Sequence, residues 1–173
     1  MTAPLLHLAD VPLLPRPPEF MPTGAAAQRI EMRLGRIGSE LGLNLLGCNL
    51  VAVPPGKQAF PFHNHRHNDE LFVILSGQGE LRFGDARHPL REGDLVGCPA
   101  GGPATAHAIT NTGSTELRYL ALSSQRTPEI CDYPDSGKFG VFDAPAPAAP
   151  GQPPGGFYHF AREDQPVDYW EGE

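Results

Sequence analysis

The sequence predicts an all-β domain, a sandwich or barrel of short antiparallel strands. Three observations predict it. Apolar and β-branched runs recur at about ten-residue spacing, each bounded by Gly, Pro, Asn or Asp. Twenty glycines and 20 prolines in 173 residues supply the turns such a chain needs. Over residues 44–124 this rhythm continues without a helix.

The first two dozen residues carry Pro12, Pro15, Pro17, Pro18 and Pro22 among Leu13, Leu14 and Phe20. Each proline removes a donor and restricts its neighbour, so an extended arm is expected, lying on the core or on a partner subunit. From Arg29 the pattern alternates, with Ile30, Met32 and Leu34 on one parity and Arg29, Glu31 and Arg33 on the other. That is a half-buried edge strand, and it completes an N-terminal region over 1–43.

Barrel strands are expected within 44–124. Residues 44–53 run into Pro54-Pro55-Gly56, 70–75 into Ser76-Gly77 and 79–83 into Gly84-Asp85. Residues 95–98 follow the turn Glu92-Gly93-Asp94, 107–110 end at Asn111-Thr112-Gly113, and 117–123 close the series. Gly77, Gly84, Gly93 and Gly113 read as turn positions with positive φ. Residues 125–143 flank the barrel, and 144–156 form a linker too rich in Pro, Ala and Gly to pack. The tail, 157–173, crowds Phe157, Tyr158, Phe160, Tyr169 and Trp170 among acidic side chains. Docking on the barrel or on a neighbouring subunit through these aromatics is expected, with a flap over a pocket or disorder as alternatives.

Twenty acidic against 13 basic residues leave a net charge of -7, which argues against nucleic-acid and anionic-membrane partners. No run approaches the length of a membrane span, and residues 1–10 lack a basic leader and a long apolar stretch, so a cytoplasmic protein is expected. Cys48, Cys98 and Cys131 lie far apart without a C-x-x-C pair and read as buried thiols. Phosphate-loop, dinucleotide and serine-hydrolase glycine motifs are absent from the sequence.

Chemistry concentrates in Pro61-Phe62-His63-Asn64-His65-Arg66-His67-Asn68-Asp69-Glu70. On an extended segment His63 and His65 share one face, close enough to chelate one ion. A turn at Asn68-Asp69 brings round Glu70, which then shares a face with Phe72 and Ile74. His107, opening a later strand, supplies a fourth ligand, with His67 as its competitor or else a group at the rim. Asp69 is expected to orient one of the histidines. Three imidazoles and one carboxylate suit iron, manganese, nickel, cobalt, copper or zinc, and suit calcium or magnesium poorly. Two open positions on an octahedral ion would let it act as a Lewis acid, bind oxygen or activate water.

These residues resemble the two motifs of the cupin superfamily. The first appears as Gly56, His63, His65, Glu70 and Gly77, and the second as Gly93, Pro99, Gly101, His107 and Asn111. Six residues separate Gly56 from His63, one more than usual, and five separate Gly101 from His107, where two are usual. The run 94–111, Tyr133-Pro134-Asp135-Ser136 and the terminal Tyr-Trp-Glu-Gly-Glu also look like a small bacterial cupin subgroup labelled sugar-phosphate-isomerase-like. The resemblance implies a double-stranded β-helix, or jelly-roll barrel, with His63, His65, Glu70 and His107 as metal ligands, and a homodimer. It points to a metal-dependent isomerase, lyase or dioxygenase acting on a small oxygen-rich molecule. A non-catalytic binding or sensing protein is the alternative, and a metal-free barrel the blandest one.

Overall fold

A computed structural model describes residues 4–143 and 156–173. The linker expected over 144–156 therefore falls outside the described residues except for Gly156. The elements are, in chain order, β1 (Leu14–Pro15), α1 (Gly24–Arg29), β2 (Arg33–Arg36), α2 (Ile37–Glu40), β3 (Leu46–Val53), β4 (Asn64–His65) and β5 (Glu70–Ser76). They continue with β6 (Gln78–Phe83), β7 (Ala86–Arg91), β8 (Leu95–Cys98), β9 (His107–Asn111), β10 (Leu117–Ser124), β11 (Glu129–Tyr133), β12 (Lys138–Asp143) and β13 (Phe157–Arg162).

Strands order as β1-β2-β3-β10-β5-β8 in a six-stranded sheet, as β7-β6-β9 in a three-stranded sheet and as β13-β12-β11-β4 in a four-stranded sheet. All their ladders are antiparallel. The first two sheets enclose one apolar core: Val51, Val53, Phe72, Ile74, Val96, Leu117 and Tyr119 meet Leu81, Leu90 and Ile109. This is the expected jelly roll, with Phe72 and Ile74 facing inward from β5 as their parity requires.

The N-terminal region departs from a fully extended arm. Single 3-10 turns form at Leu8–Asp10 and Pro18–Phe20, and α1 follows. Pro18 stands at the start of its turn, where a missing N–H costs nothing, and the proline-free run from Gly24 through Ala25, Ala26 and Ala27 has the propensity to close a helix. The alternation from Arg29 survives as a burial pattern, with Met32 buried and Arg29, Glu31 and Arg33 exposed, although the strand begins only at Arg33. The arm packs on its own barrel. β1 pairs with β2, and Val11 is buried over Gly35, where a Cβ would come within 2.3 Å of the Val11 side chain.

Gly77, Gly84 and Gly93 have positive φ as expected, but Gly113 does not. The turn at Gly113 is built instead by Asn111, whose side chain donates to the carbonyls of Val53 and Thr115 at 2.8 Å each and accepts from the Gly113 N–H at 2.9 Å. The tail contributes β13, which joins β12 through a six-pair ladder. Phe157, Tyr158 and Phe160 remain more than half exposed on it, while Phe160 packs against Tyr133 and Phe142 and Tyr158 against Phe142, so the tail attaches through its backbone ladder and surface aromatic contacts together. No helix among the described residues is long and apolar enough to cross a membrane.

Candidate metal centre

The candidate ligands come together where the three sheets meet. Glu70 opens β5 of the large sheet, His107 opens β9 of the small one, and His65 lies on β4 of the third. His63 precedes β4 and forms an antiparallel bridge with His107: the His63 N–H donates to the His107 carbonyl at 3.2 Å, and the His107 N–H donates back at 2.8 Å. The longer Gly101-to-His107 spacing is taken up by a 3-10 turn at Pro103–Thr105, which leaves this bridge intact. The Gly101 N–H donates to the His65 carbonyl at 2.8 Å, tying the same loop to β4.

Side-chain donor atoms of His63, Glu70 and His107 all lie within 4.8 Å of one another. The ring centroids of His63 and His107 are 5.0 Å apart, and those of His63 and His65 are 5.1 Å apart. His107 Nε2 is 2.8 Å from Glu70 Oε2, and His65 Nε2 is 3.4 Å from the same oxygen. His63 Nδ1 pairs with the Pro61 carbonyl at 2.8 Å and His107 Nδ1 with that of Thr105 at 3.2 Å. An Nδ1–H held by a carbonyl leaves Nε2 as the lone-pair nitrogen, the tautomer a metal-binding imidazole requires.

His65 stands at the edge of this group. Its Nδ1 lies 3.2 Å from Cys131 Sγ and 3.6 Å from Glu129 Oε2, so His65, Glu129 and Cys131 make a second cluster of donor atoms behind it. That cluster is poorly suited to an ion of its own. Glu129 Oε1 already accepts the N–H groups of Arg66 at 3.0 Å, His67 at 3.1 Å and Ile130 at 2.8 Å, while Oε2 accepts from Asn68 Nδ2. Burial, reinforced by the carboxylates of Glu129, Glu70 and Asp132, pushes the Cys131 thiol up to about 12, so it remains S–H. Glu129 and Cys131 thus back His65 and fix its ring.

Asp132 anchors β4 next to them. Its carboxylate, 2% exposed, accepts from Asn64 Nδ2 at 2.8 Å and from both Arg66 Nε at 2.9 Å and Nη2 at 2.8 Å. Burial opposes the charge, but these bonds outweigh it and hold the carboxyl below its usual range.

The site electrostatics follow from crowding imidazoles around one carboxylate. Burial, opposed by Glu70 and aided by the neighbouring histidines, lowers His63 to about 4. Glu70 is penalised by its own burial, yet its bond to His107 and the charges of His65 and His63 bring it below the ordinary carboxylate value. His107 is also penalised by burial, but the neighbouring Cys98 and Glu70, the latter bonded to it at 2.8 Å, raise it to about 10. Tyr133 stacks on His63 at 5.9 Å between centroids, and burial pushes its phenol up. Phe60 at 6.2 Å from His63 and Phe72 at 5.6 Å from His107 complete an aromatic wall.

The remaining expectations separate. His67 is exposed, with Nδ1 3.8 Å from Glu129 Oε1 and away from the central group. Asp69 does not orient a histidine; its carboxylate accepts the Ala100 N–H at 2.8 Å, because the turn at 68–69 directs it toward the loop after β8. Cys98 is buried in the apolar core. Cys131 is the buried thiol expected, but neither it nor Glu129 nor Tyr133 was read as part of the site, although their spacing of two on one strand was a usable signal.

Three comparisons bear on this geometry. Residues 49–123 match the family described as Cupin domain. The chain is 33% identical over 72 residues to an oxalate-binding protein of Thermotoga maritima, covering 42% of this chain and 56% of that one. It spans about half the length of the curated relatives it matches. A crystal structure from Silicibacter pomeroyi, described as a sugar phosphate isomerase from a cupin superfamily, is 27% identical with a TM-score of 0.73 over 96% of this chain and 98% of that one. Another, from Acidithiobacillus ferrooxidans and provisionally designated a sugar phosphate isomerase, is 25% identical with a TM-score of 0.66 over 80% of each chain.

Proposed function

Residues 49–123 form a cupin domain, and on that premise we propose that His63, His65, Glu70 and His107 hold one divalent transition metal ion that presents a small oxygen-rich molecule to the barrel interior. The observation that carries this reading is the convergence of the His63, Glu70 and His107 donor atoms within 4.8 Å, with both histidine Nδ1 atoms committed to backbone carbonyls. Imidazole and carboxylate donors fit iron, manganese, cobalt, nickel, copper or zinc.

When bound, such an ion supplies Lewis-acid stabilisation of negative charge developing on a substrate oxygen. The chain contributes the rest. His63, lowered to about 4 by burial, presents a neutral nitrogen, Phe60 and Phe72 flank the imidazoles, and Tyr133, whose ring stacks on His63, keeps its phenolic proton at neutral pH as the donor to a substrate oxygen. A proton-bearing group against the site favours turnover of the isomerase or lyase type. Dioxygenation would use the same ligands with iron. The relative named as an oxalate-binding protein supports a second reading, in which the molecule is held without conversion. A homodimer is part of the proposal, for which the exposed Phe157, Tyr158 and Phe160 of edge strand β13 offer a surface.

The test is cobalt reconstitution followed by exposure to small α-hydroxy acids and sugar phosphates in D2O. The expected result is a visible spectrum altered by the added molecule and absent in His63→Ala, with deuterium entering the carbon next to the substrate carbonyl. Tyr133→Phe should keep the spectral change and lose the deuterium incorporation. A spectral change without incorporation in the wild type would support the binding reading, and no cobalt spectrum at all would remove both.

A further inference from the structure

Arg16 stands apart from the other arginines. Three of them are partly buried: Arg16, Arg82 and Arg118. Arg82 has Asp135 at 2.7 Å and Arg118 has Glu116 at 4.0 Å, whereas no carboxylate of the described residues lies within 4.0 Å of Arg16. Its Nη2 donates to the Ala59 carbonyl at 3.0 Å, and its guanidinium carbon sits 4.9 Å from the centroid of Phe60. Its Nε, like that of Arg118, is buried and has no hydrogen-bond partner among the described residues, so what distinguishes Arg16 is the lack of a carboxylate beside it. A partly desolvated guanidinium with an unsatisfied N–H is costly, and costlier still to explain in a chain of net charge -7 that offers carboxylates elsewhere.

The location of this cation gives it meaning. Phe60, on which it rests, is the same ring that flanks His63 at 6.2 Å. Its charge is felt by Tyr119 and by Tyr133, and Tyr133 stacks on His63. Tyr119 packs edge-on against Phe72, which in turn packs on His107. Arg16 therefore shares its walls with the candidate metal centre. The arm is firmly seated there, since β1 ends at Pro15 in register with Arg33 and Val11 is buried beneath it.

We infer that Arg16 is an anion-recognising residue of this site, and that the small molecule it takes carries a carboxylate or phosphate that pairs with the guanidinium while other oxygens face His63, Glu70 and His107. The inference rests on the metal-site reading and names its substrate class. Guanidinium matches both oxyanions with paired N–H groups.

The experiment is calorimetric titration of the manganese-reconstituted protein with lactate, malate and 3-phosphoglycerate. All three offer an α-hydroxycarboxylate to the ion and differ at the far end, which is a methyl, a carboxylate or a phosphate. Malate or 3-phosphoglycerate is expected to bind the wild type at least about tenfold tighter than lactate, and the tighter of the two identifies the anion. Arg16→Gln keeps an amide N–H for the Ala59 carbonyl and should bind all three alike. Arg16→Lys should keep part of the preference, and melting curves on both variants report whether the arm stays seated.

Equal binding of the three by the wild type would overturn the inference. So would a preference that persists in Arg16→Gln, or manganese-loaded protein that binds none of them. Protein that takes up no manganese would overturn the metal-site reading itself, a failure that the metal content measured before titration keeps distinct.

Discussion

Replacing Asp132 by alanine should loosen the candidate metal centre from behind, without touching any proposed ligand. β4 is two residues long and carries His65, and it is held to β11 by the pairs Cys131↔His65 and Asp132↔Asn64. Asp132 adds three close hydrogen bonds of 2.8 to 2.9 Å to that short ladder, from Asn64 Nδ2, Arg66 Nε and Arg66 Nη2. Hydrogen bonds to a charged group contribute about 1.5–3 kcal/mol each, but these share one carboxylate and are not additive. The Arg66 side chain is 46% exposed and can turn to water, and Asn64 keeps its 2.8 Å bond to the Gly101 carbonyl. A net loss of about 3 kcal/mol follows, which for a chain of this size lowers Tm by about 6–12 °C. With β4 less fixed, His65 loses its orientation, and metal affinity should fall about 10- to 100-fold. Thermal melts and competition with a chromophoric chelator measure the two effects. Asp132→Asn, which retains an acceptor for Arg66, should recover most of the affinity. Full metal affinity in Asp132→Ala despite the expected drop in Tm would refute the argument that this network positions His65.

Three further outcomes follow from the same geometry. In the chelator-treated protein, His63, lowered from 6.5 to about 4, contributes stability that is present above pH 6.5 and lost as pH falls through about 4. Glu70, lowered from 4.5, acts in the same direction at lower pH, while His107, raised from 6.5 to about 10, contributes stability that is present below pH 6.5 and lost as pH rises through about 10. Urea unfolding from pH 4 to 10 should therefore give maximal stability near pH 6.5, and a profile still rising toward pH 10 would contradict these assignments. Gly77→Ala should cost more than about 1 kcal/mol, because φ is +87° and a Cβ would meet the Glu116 carbonyl oxygen at 2.7 Å; an unchanged denaturation midpoint would be inconsistent with that turn. His67→Ala should leave metal content as in the wild type, since its side chain is exposed and lies outside the central cluster; loss of the ion would make it a ligand.

Much of the barrel was legible because its strands bury one face. The parity of Glu70, Phe72 and Ile74 on β5 could be read directly, and so could the pairing of His63 with His65. β7 escaped because only Leu90 of its six residues is buried, which leaves no alternation, and because Pro89 argues against a strand; as an outer strand of its sheet β7 accommodates that proline. β11 escaped for the opposite reason. Glu129, Cys131 and Asp132 are its buried residues, so the hydrophobic pattern is inverted where the strand serves the site. Arg16 carried no signal in a proline-rich arm, since its significance arises only when β1 seats it against Phe60. The same holds for Asp69, whose position beside a histidine-rich segment suggested a role that the turn at Asn68 redirects.

If one ion is held jointly by His63, His65, Glu70 and His107, the metal content of the protein by mass spectrometry registers it. Protein purified without a histidine tag should carry, or after reconstitution take up, close to one equivalent of a transition metal, and both His63→Ala and His107→Ala should lose it. Retention of a full equivalent in His107→Ala, or no metal in the reconstituted wild type, would exclude a four-ligand site of this composition.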